Sequence, residues 1–582
     1  MIWIRDLINE MIPIFSKAMN FLGVEDSNWI PLIGRATVED HGDVALPCHS
    51  LARMFRKPPQ EIAEQICALV EADLNSIANV SSISGFVNVS AKSEWLSKCL
   101  SKLLSDPRLG IGVEKPLTFA VDYSAPNVAK EMHVGHLRST VIGDSIVRML
   151  EFKGHQVIRE NHVGDWGTPF GMLIEHLLDL GEDQAANELG VGDLDSFYKQ
   201  ARTKFISNDE FANRSRSRVV LLQGGDSETL RLWRVLVDES MRYFNEVYSM
   251  LGVLLTNQDI RGESSYQDLL PEVVDRLMRE GILETSEGAD VVFPGGWVNR
   301  DGAPLPMIIR KADGGYNYST SDLACIIDRV ERLDCDGFLY VVGTPQKQHF
   351  EMVFQVAEQA GFMSPSHQAI HINFGSVLDI DGKVLKSREG EVIKLHDLLD
   401  EAIRRAESAI NEKNPELIDD ERDDIARTVG IGAVKYADLS TERTKDYVFD
   451  WERMLSFDGN TAPYLQYAYA RICSIFRKWE GARSSLTSAE LILTHPEELV
   501  LSRRLADFPS ALDESISTFS PHKLCTHLHS IASSFASFYE NCNVLKGESE
   551  DIIRSRLAMC DLTARELKLG LGLMGIGVPE RM

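Results

Sequence analysis

The chain has 582 residues, 44% of them hydrophobic and 25% charged, which predicts a globular protein of about three or four domains. No apolar run approaches the roughly 18 residues that a membrane span needs, and acidic residues among the first ten argue against a signal or transit peptide. We therefore expect a cytoplasmic protein with no membrane partner. The formal net charge of −27 argues against nucleic-acid binding, although only the binding face must be positive.

The nine cysteines are scattered along the chain, and no two are spaced as Cys-x-x-Cys. None stands near a histidine in zinc-finger spacing. We expect free, mostly buried thiols in a reducing compartment and no dedicated metal site.

Residues 1–112 predict an α+β domain. Pro58-Pro59 begins one helix, a strand-like run follows at 85–90, and a further helix comes after it. Asp106-Pro107 and the glycines at 110 and 112 have the composition of a linker.

From residue 113 to about 395, strand-like and helical patterns alternate. Strands are predicted at 117–123, 157–160, 306–309 and 337–342, with an amphipathic helix after the first of them. This alternation predicts a Rossmann-type parallel sheet that binds ligands at the carboxyl ends of its strands. The polar, mostly helical stretch from about 185 to 300 is predicted to be an insertion.

Residues 396–430 predict a charged helical connector, and residues 431–582 an all-helical domain. The expected fold class is thus a multidomain α/β protein with an α+β N-terminal domain and an all-α C-terminal domain.

The most informative stretch is 124–138, SAPNVAKEMHVGHLR, at the predicted turn from the first strand into its helix. A helix N-terminus receives phosphate well, because its first N–H groups are unpaired and its dipole is positive. His133 and His136 flank Gly135 there, which indicates a nucleotide triphosphate site. A metal-binding pair and two surface histidines remain as alternatives.

In this context the stretch resembles the HIGH motif of class I aminoacyl-tRNA synthetases, and residues 122–130, DYSAPNVAK, resemble its arginyl-tRNA synthetase form. The resemblance implies that the two histidines contact ATP phosphates in the transition state, and that Mg²⁺ accompanies the ATP. The ATP-binding residues implied are His133, Gly135, His136 and His349, and Lys130 joins the histidines as a catalytic candidate.

Residues 381–390, DGKVLKSREG, resemble the KMSKS loop, which grips the leaving pyrophosphate in this superfamily. The loop departs from the pattern, since Leu385 stands for its first lysine. The catalytic candidates here are Lys386, Ser387 and Arg388, and Lys130 is the candidate for the missing cation. A surface hairpin with Asp-Gly at its turn is an alternative that is compatible with the first interpretation.

An arginine pocket needs carboxylates, which pair with the planar guanidinium through two parallel hydrogen bonds. Tyr318 and Asp322 lie at i and i+4 on one face at the start of a predicted helix. The arginyl family uses this spacing for the guanidinium end. The resemblance adds further contacts to arginine from Asp122, Ser124, Asn127 and Gln346. The alternative for Asp322 is an acid that stabilises the helix N-terminus.

Residues 461–471, TAPYLQYAYAR, resemble the start of the family's helical anticodon-binding domain. Exposed aromatic faces suit unstacked bases, and arginine adds positive charge. Core packing is the alternative for tyrosines at this spacing. The tRNA-binding candidates are Tyr464, Tyr467, Arg471, Tyr539 and Met582, together with Phe86 and Asn88 on a strand that resembles the family's reader of the tRNA elbow. A plain sheet strand is an equal alternative for the last two.

The resemblance implies a ligase that makes arginyl-adenylate and pyrophosphate from L-arginine and ATP, and then transfers arginine to the terminal adenosine of tRNA(Arg). It also implies that activation needs bound tRNA. We expect a monomer without an editing domain, because a pocket with buried carboxylates rejects neutral isosteres. Three rivals remain: another class I synthetase, a catalytically dead tRNA-binding regulator, and a metal hydrolase built on His133 and His136.

Overall fold

The computed structural model describes residues 2–24, 26–38, 41–181, 194–385, 393–415 and 417–582. It divides into two compact units, which are treated separately below. The central unit comprises 113–456 and 572–577, and the terminal unit comprises 1–112, 457–571 and 578–582.

A four-stranded parallel sheet forms the core of the central unit. Its strands, in spatial order, are Gln368–His371, Gly337–Tyr340, Thr118–Asp122 and Gln156–Glu160. Helix Val134–Lys153 connects the last two strands, and 15 of its 20 residues are buried. Helices Tyr318–Glu331 and Lys347–Gln359 flank strand Gly337–Tyr340 in the chain. The expected parallel α/β architecture is confirmed, with the carboxyl ends of all four strands at one edge.

The expectation that 306–309 belongs to the parallel sheet is wrong. Met307–Arg310 is a strand, but it pairs antiparallel with Ala289–Val292 in a separate three-stranded sheet completed by Glu284–Ser286. Its burial alternates along the strand, as expected where one sheet face meets solvent. The fourth parallel strand, Gln368–His371, was not predicted, because it lies at the sheet edge and is only partly buried.

The insertion between the two halves of the parallel sheet is mostly helical, as predicted. Helix Ser227–Leu251 is its longest described element. A short parallel pair, Val377–Leu378 with Tyr447–Val448, lies elsewhere in the unit. The boundary expected between residues 430 and 431 falls inside helix Asp419–Leu439. The other α-helices of the central unit are Thr168–Leu180, Leu194–Ser207, Asp209–Gln223, Leu270–Arg279, Leu395–Lys413 and Trp451–Met454, and its 3-10 helices are Asn257–Asp259, Glu263–Leu269 and Thr344–Gln346.

The terminal unit joins an antiparallel sheet to two groups of helices. The sheet order is Gly34–Arg35, Val44–Pro47, Phe86–Ala91 and Ala78–Ile83. Its N-terminal helices are Ile2–Phe21, Ala52–Phe55, Pro59–Leu74 and Ser93–Ser105, with 3-10 turns at Ile30–Leu32 and Cys48–Ser50. Its C-terminal helices are Ala462–Lys478, Pro496–Ser517, Pro521–Asn541 and Glu550–Leu573, with a 3-10 helix at Arg483–Ser488; the last two residues of Glu550–Leu573 belong to the central unit.

Buried polar contacts hold the two halves of the terminal unit together. The Trp3 indole donates to Asp507 at 2.7 Å, and Arg503 pairs with Asp43 at the same distance. Both carboxylates are largely buried and each has a second partner, Arg35 for Asp507 and the backbone N–H of Ala91 for Asp43.

All nine cysteines are free thiols and eight are buried, as predicted. None of the described helices has the length and apolar character that a membrane crossing requires.

Candidate functional site

The two histidines of the first motif lie at the N-terminus of helix Val134–Lys153. His133 caps the helix, and its Nδ1 accepts the backbone N–H of Gly135 at 3.0 Å. The Nδ1 of His136 accepts the backbone N–H of His133 at 3.1 Å. The ring centroids are 4.0 Å apart. Glycine is required at 135, because a Cβ there would lie 2.8 Å from the His133 ring.

These hydrogen bonds fix the chemical state of both rings. Each Nδ1 acts as an acceptor, so the proton of the neutral ring is assigned to Nε2, which is left as a donor. Burial lowers the pKa of His133 and lowers that of His136 to about 3. Both imidazoles are therefore neutral donors at pH 7, at the end of a helix where anions are favoured.

The low pKa of His136 predicts a loss of stability in acid. The unfolded chain takes up this proton below about pH 6.5, whereas the folded protein resists it until about pH 3. Stability therefore falls as the pH falls through this window, by about 2 kcal/mol at pH 5. The free energy of unfolding of the wild type minus that of His136→Asn, measured with urea, should fall by about 2 kcal/mol from pH 7 to pH 5. A difference that is independent of pH would contradict the assignment.

The loop before the histidines is held in an unusual backbone conformation. Ser124, Ala125 and Ala129 have φ values of 75°, 47° and 59°. Non-glycine residues rarely adopt positive φ, and such strain is concentrated at functional sites. The loop also approaches Gly164 closely, where a Cβ would force the exposed side chain of Asn127 to move.

A buried hydroxyl network holds this strained loop in place. Ser124 Oγ lies 2.8 Å from the hydroxyl of Tyr248 and accepts from Thr140 at 2.9 Å. Asn161 donates to the same Tyr248 oxygen at 2.9 Å and accepts the backbone N–H of Ala125 at 3.0 Å. The Ser124 hydroxyl is thus engaged inside the loop, whereas Asn127 is exposed. Sequence reasoning missed Tyr248, which comes from the insertion.

Lys130 lies beside the histidines, where its ammonium group stands over the ring of Tyr198, 4.7 Å from the centroid. The side chain is only partly buried. Its charge acts on both imidazoles and helps to keep them neutral.

The second motif can be followed only at its two ends, because Lys386, Ser387 and Arg388 lie outside the described residues. Before them, Leu378 and Val384 bridge antiparallel around a turn, which is the hairpin expected from Asp381-Gly382. After them, Ile393 accepts the N–H of Val134 at 3.1 Å, and Leu395 donates to Met132 at 2.8 Å.

An ion pair strengthens the second of these junctions. Lys394 meets the buried carboxylate of Glu131 at 2.7 Å. Backbone pairing and this ion pair therefore attach the downstream end of the second motif directly to the first motif.

The predicted guanidinium site lies at the start of helix Tyr318–Glu331. Tyr318 is 62% exposed, and its ring meets that of His349 edge to face with centroids 4.8 Å apart. The Asp322 carboxylate is 2.6 Å from His349 Nε2. Gln346 is exposed three residues before His349. The structure therefore brings Tyr318, Asp322 and His349 together, and places His349, assigned to ATP by resemblance, against the arginine candidates.

Asp122 is held by an arginine of the chain itself, Arg329. Arg329 is fully buried and donates to Asp122 at 2.8 Å and to Glu160 at 2.6 Å. Its guanidinium also lies over the ring of Tyr340, 4.5 Å from the centroid. Sequence reasoning missed this cluster. The sequence feature that could have indicated it is the acidic residue at the end of each of two adjacent strands.

Three of the predicted tRNA-binding residues meet on the terminal unit. The Arg471 guanidinium lies over the rings of Tyr467 and Tyr539, 4.8 and 5.1 Å from their centroids, and donates to the Tyr467 hydroxyl at 3.1 Å. Both rings are nearly 40% exposed, at 37% and 38%. A cleft of about 370 Å³ adjoins them and is lined by Arg471, Lys478, Tyr539, Asn541 and Asn543 among others.

The remaining tRNA-binding candidates are less accessible. Tyr464 packs against His529 with ring centroids 5.6 Å apart. Arg477 donates to the carbonyl of Glu580 at 3.0 Å, which fixes the tail that ends at the partly buried Met582. Phe86 is half-buried against His49. Asn88 is only 2% exposed, so contact of its amide with a base requires neighbouring side chains to move.

Removal of an exposed aromatic face should weaken tRNA binding. Stacking of a base on an aromatic ring contributes about 1–3 kcal/mol, so Tyr467→Ala should raise the Kd for tRNA(Arg) roughly 5- to 150-fold. Tyr469→Phe is the control on the same helix, because Tyr469 is 4% exposed. Filter binding at fixed salt checks both variants, and equal affinities for Tyr467→Ala and the wild type would refute the assignment.

Comparisons with known proteins agree with this arrangement. The chain matches the models for "tRNA synthetases class I (R), catalytic domain" over residues 99–451, "DALR anticodon binding domain" over 465–582, and "Arginyl tRNA synthetase N terminal domain" over 4–91. It is 48% identical to the arginine–tRNA ligase of Thermobifida fusca over 92% of each chain, and 45% identical to that of Shewanella amazonensis over 99% of this chain and 100% of the relative.

A solved structure gives the same result. The arginyl-tRNA synthetase of Plasmodium falciparum superposes with a TM-score of 0.81 at 28% identity, with 99% of both chains covered. With a catalytic-domain match over more than half of its length and relatives of this similarity, the chain belongs to the arginyl-tRNA synthetase family of class I aminoacyl-tRNA synthetases.

Proposed function

We propose that the protein is an arginine–tRNA ligase that uses ATP to charge tRNA(Arg) with L-arginine. Two features of the central unit carry the proposal: neutral donor histidines at a helix N-terminus, and a carboxylate that can pair with a guanidinium. They occur in a chain that matches an arginine–tRNA ligase over 99% of its length. In the first step, an oxygen of the arginine carboxylate attacks the α-phosphorus, the bond to the β-phosphate breaks, and pyrophosphate leaves. In the second step, a hydroxyl of the terminal adenosine attacks the arginyl carbonyl, and AMP leaves.

His133 and His136 stabilise the negative charge that develops on the phosphates. Their Nε2–H groups donate to phosphate oxygens, and the helix dipole adds to the effect. Since both rings are already neutral, they act as fixed donors and do not transfer a proton. Catalysis then depends on positioning and electrostatics rather than on a covalent intermediate with the protein.

The guanidinium of arginine is bound by Asp322 and packs beside Tyr318. His349 occupies one oxygen of Asp322 in the structure, so arginine takes over that oxygen when it binds. Arg329 holds Asp122 and Glu160, and this pairing keeps two acidic residues from repelling each other under the pocket. Asn127 and Gln346, both exposed, serve the remaining polar groups of the substrate.

Lys386, Ser387 and Arg388 grip the leaving pyrophosphate in this proposal, with Lys130 as an additional cation. The pairing of Ile393 and Leu395 with Val134 and Met132 supports it, because the chain must leave the second motif at the phosphate end of the site.

Mg²⁺ enters with the ATP. This ion prefers oxygen ligands and is commonly held by substrate phosphates. Two carboxylates beside the first motif are already engaged, since Glu131 pairs with Lys394 and Asp195 accepts the backbone N–H of Glu131. The donor set therefore fits an ion carried by the phosphates better than a dedicated protein site.

The division of labour follows the expected domains. Residues 1–112 contact the tRNA elbow through Phe86 and Asn88, residues 113–395 carry the chemistry, 396–430 approach the acceptor stem, and 431–582 bind the anticodon. The exposed Tyr467–Arg471–Tyr539 cluster supports the last assignment. We also propose a monomer that acts in the cytoplasm; light scattering tests the first of these.

Pyrophosphate exchange with and without tRNA tests the proposed function. We expect arginine-dependent exchange between ATP and pyrophosphate that appears only when tRNA(Arg) is present. Tight tRNA binding without any exchange would favour the rival regulator, and exchange with a different amino acid would favour another class I enzyme.

A further inference from the structure

Three metal-ligating side chains meet beside the arginine site. One ligand atom each from His162, Asp322 and Cys325 lies within 4.8 Å of the other two. Cys325 Sγ lies 3.8 Å from His162 Nδ1. Asp322 and Cys325 are three residues apart on helix Tyr318–Glu331, and His162 follows strand Gln156–Glu160.

The donor set is selective for certain ions. Imidazole nitrogen, thiolate sulfur and carboxylate oxygen together suit Zn²⁺, which is commonly tetrahedral, and they do not suit Mg²⁺ or Ca²⁺. In a tetrahedral site with ligand distances of about 2.0–2.3 Å, donor atoms stand roughly 3.3–3.8 Å apart, so small side-chain movements close the cluster around an ion.

The three side chains of the cluster differ in exposure. Cys325 is 1% exposed and forms the floor, whereas the Asp322 side chain is 18% exposed. Tyr266 packs on the His162 ring, with centroids 5.6 Å apart, and is itself 1% exposed. Three protein ligands that leave the fourth position to water or substrate are the pattern of an accessible zinc site.

We propose that His162, Asp322 and Cys325 form a Zn²⁺ site whose occupation blocks arginine binding. The ion would take the carboxylate oxygens of Asp322 that the guanidinium needs, and its positive charge would repel the guanidinium. Zinc and arginine therefore compete for one side chain, and the free ion acts as a reversible inhibitor. The competitive part of this inference rests on the proposed function, and the metal site does not.

Cobalt substitution tests the site without any use of catalysis. Chelator-treated full-length protein is titrated with Co²⁺, and we expect about one equivalent to bind with a sulfur-to-cobalt charge-transfer band. Cys325→Ser should abolish the band, and His162→Gln should weaken binding of the ion. Cys335→Ser is the matched control, because Cys335 is a buried thiol of the same hydrophobic core. Absence of the band, its survival in Cys325→Ser, or its loss in Cys335→Ser would overturn the proposal.

Inhibition kinetics test the competition. With Mg²⁺–ATP fixed, Zn²⁺ at ten times its Kd should raise the apparent KM for arginine about tenfold, leave kcat unchanged, and be reversed by a chelator. Cys325→Ser should lose this sensitivity while it still charges tRNA in metal-free buffer. Inhibition that more ATP relieves, or that persists in Cys325→Ser, would overturn the proposal. If the metal-free protein charges no arginine, the proposed function fails, yet the cobalt result still decides the metal site.

Discussion

Replacement of Asp322 by alanine should lower kcat/KM for arginine by about 30- to 5,000-fold, mostly through KM. Truncation of one partner of a hydrogen-bonded charge pair in a binding site costs about 2–5 kcal/mol, because the other charge is left unpaired. In this protein the partner left unpaired is the guanidinium of the substrate. Binding of ATP should remain intact, since we propose that its phosphates bind at the first motif.

The control for this substitution is Asp328→Ala on the same helix. Asp328 forms an ion pair with Arg332, one turn away on the same helix. The Arg332 side chain is nearly half exposed, so the loss of this ion pair should cost little stability. Pyrophosphate exchange at varied arginine measures both variants. An unchanged KM for arginine in Asp322→Ala would refute the pocket assignment.

Replacement of His136 by asparagine should lower kcat for arginine activation by about 10²- to 10³-fold, the loss expected when one donor to a developing charge is removed. Asparagine retains an oxygen that can accept the N–H of His133 at the helix cap, and it lacks the Nε2–H that reaches the phosphate. The fold should therefore survive while the chemistry fails.

His155→Asn is the matched histidine control. His155 follows the C-terminal cap of helix Val134–Lys153, which places it about 30 Å from His136 by the rise of a 20-residue helix. Single-turnover formation of arginyl-adenylate distinguishes the two variants. A wild-type rate in His136→Asn would show that the imidazole does not contact the reacting phosphates.

The first motif could be predicted from the sequence because its structure is local. The strand, the cap and the helix lie within about 40 consecutive residues, and the hydrogen bonds of both histidines stay inside the segment. The same holds for Tyr318 and Asp322, whose spacing on one helix sets their relation.

Contacts between distant segments escaped prediction. Arg329 reads as an ordinary arginine in the last turn of a helix, and its partners Asp122 and Glu160 are 207 and 169 residues away. Tyr248 reaches Ser124 across 124 residues from inside the insertion. The sheet to which Met307–Arg310 belongs escaped prediction for the same reason. An apolar run of four residues predicts a strand, but it does not indicate which strand will pair with it.

The predicted parallel strands indicated that the candidate residues lie at the carboxyl edge of the sheet. They did not indicate which side chains contact each other there. His349 was expected at the ATP, yet its side chain meets Asp322, because a single turn of helix Lys347–Gln359 decides which neighbour it faces. Asn88 was a candidate for contact with the tRNA elbow, with a plain sheet strand as an equal alternative, and on a strand with neighbours on both sides its side chain is covered. Side-chain direction at an element's end depends on packing that spacing does not encode.

The most direct test of the central claim is charging of tRNA(Arg) with arginine compared with citrulline, which has the same shape and no charge. A pocket built on carboxylates should prefer arginine by about 10⁴-fold or more in kcat/KM, since citrulline cannot supply the charged guanidinium that pairs with Asp322. The account predicts efficient charging with arginine and none measurable with citrulline. Absence of arginine charging, or comparable charging with citrulline, would contradict it.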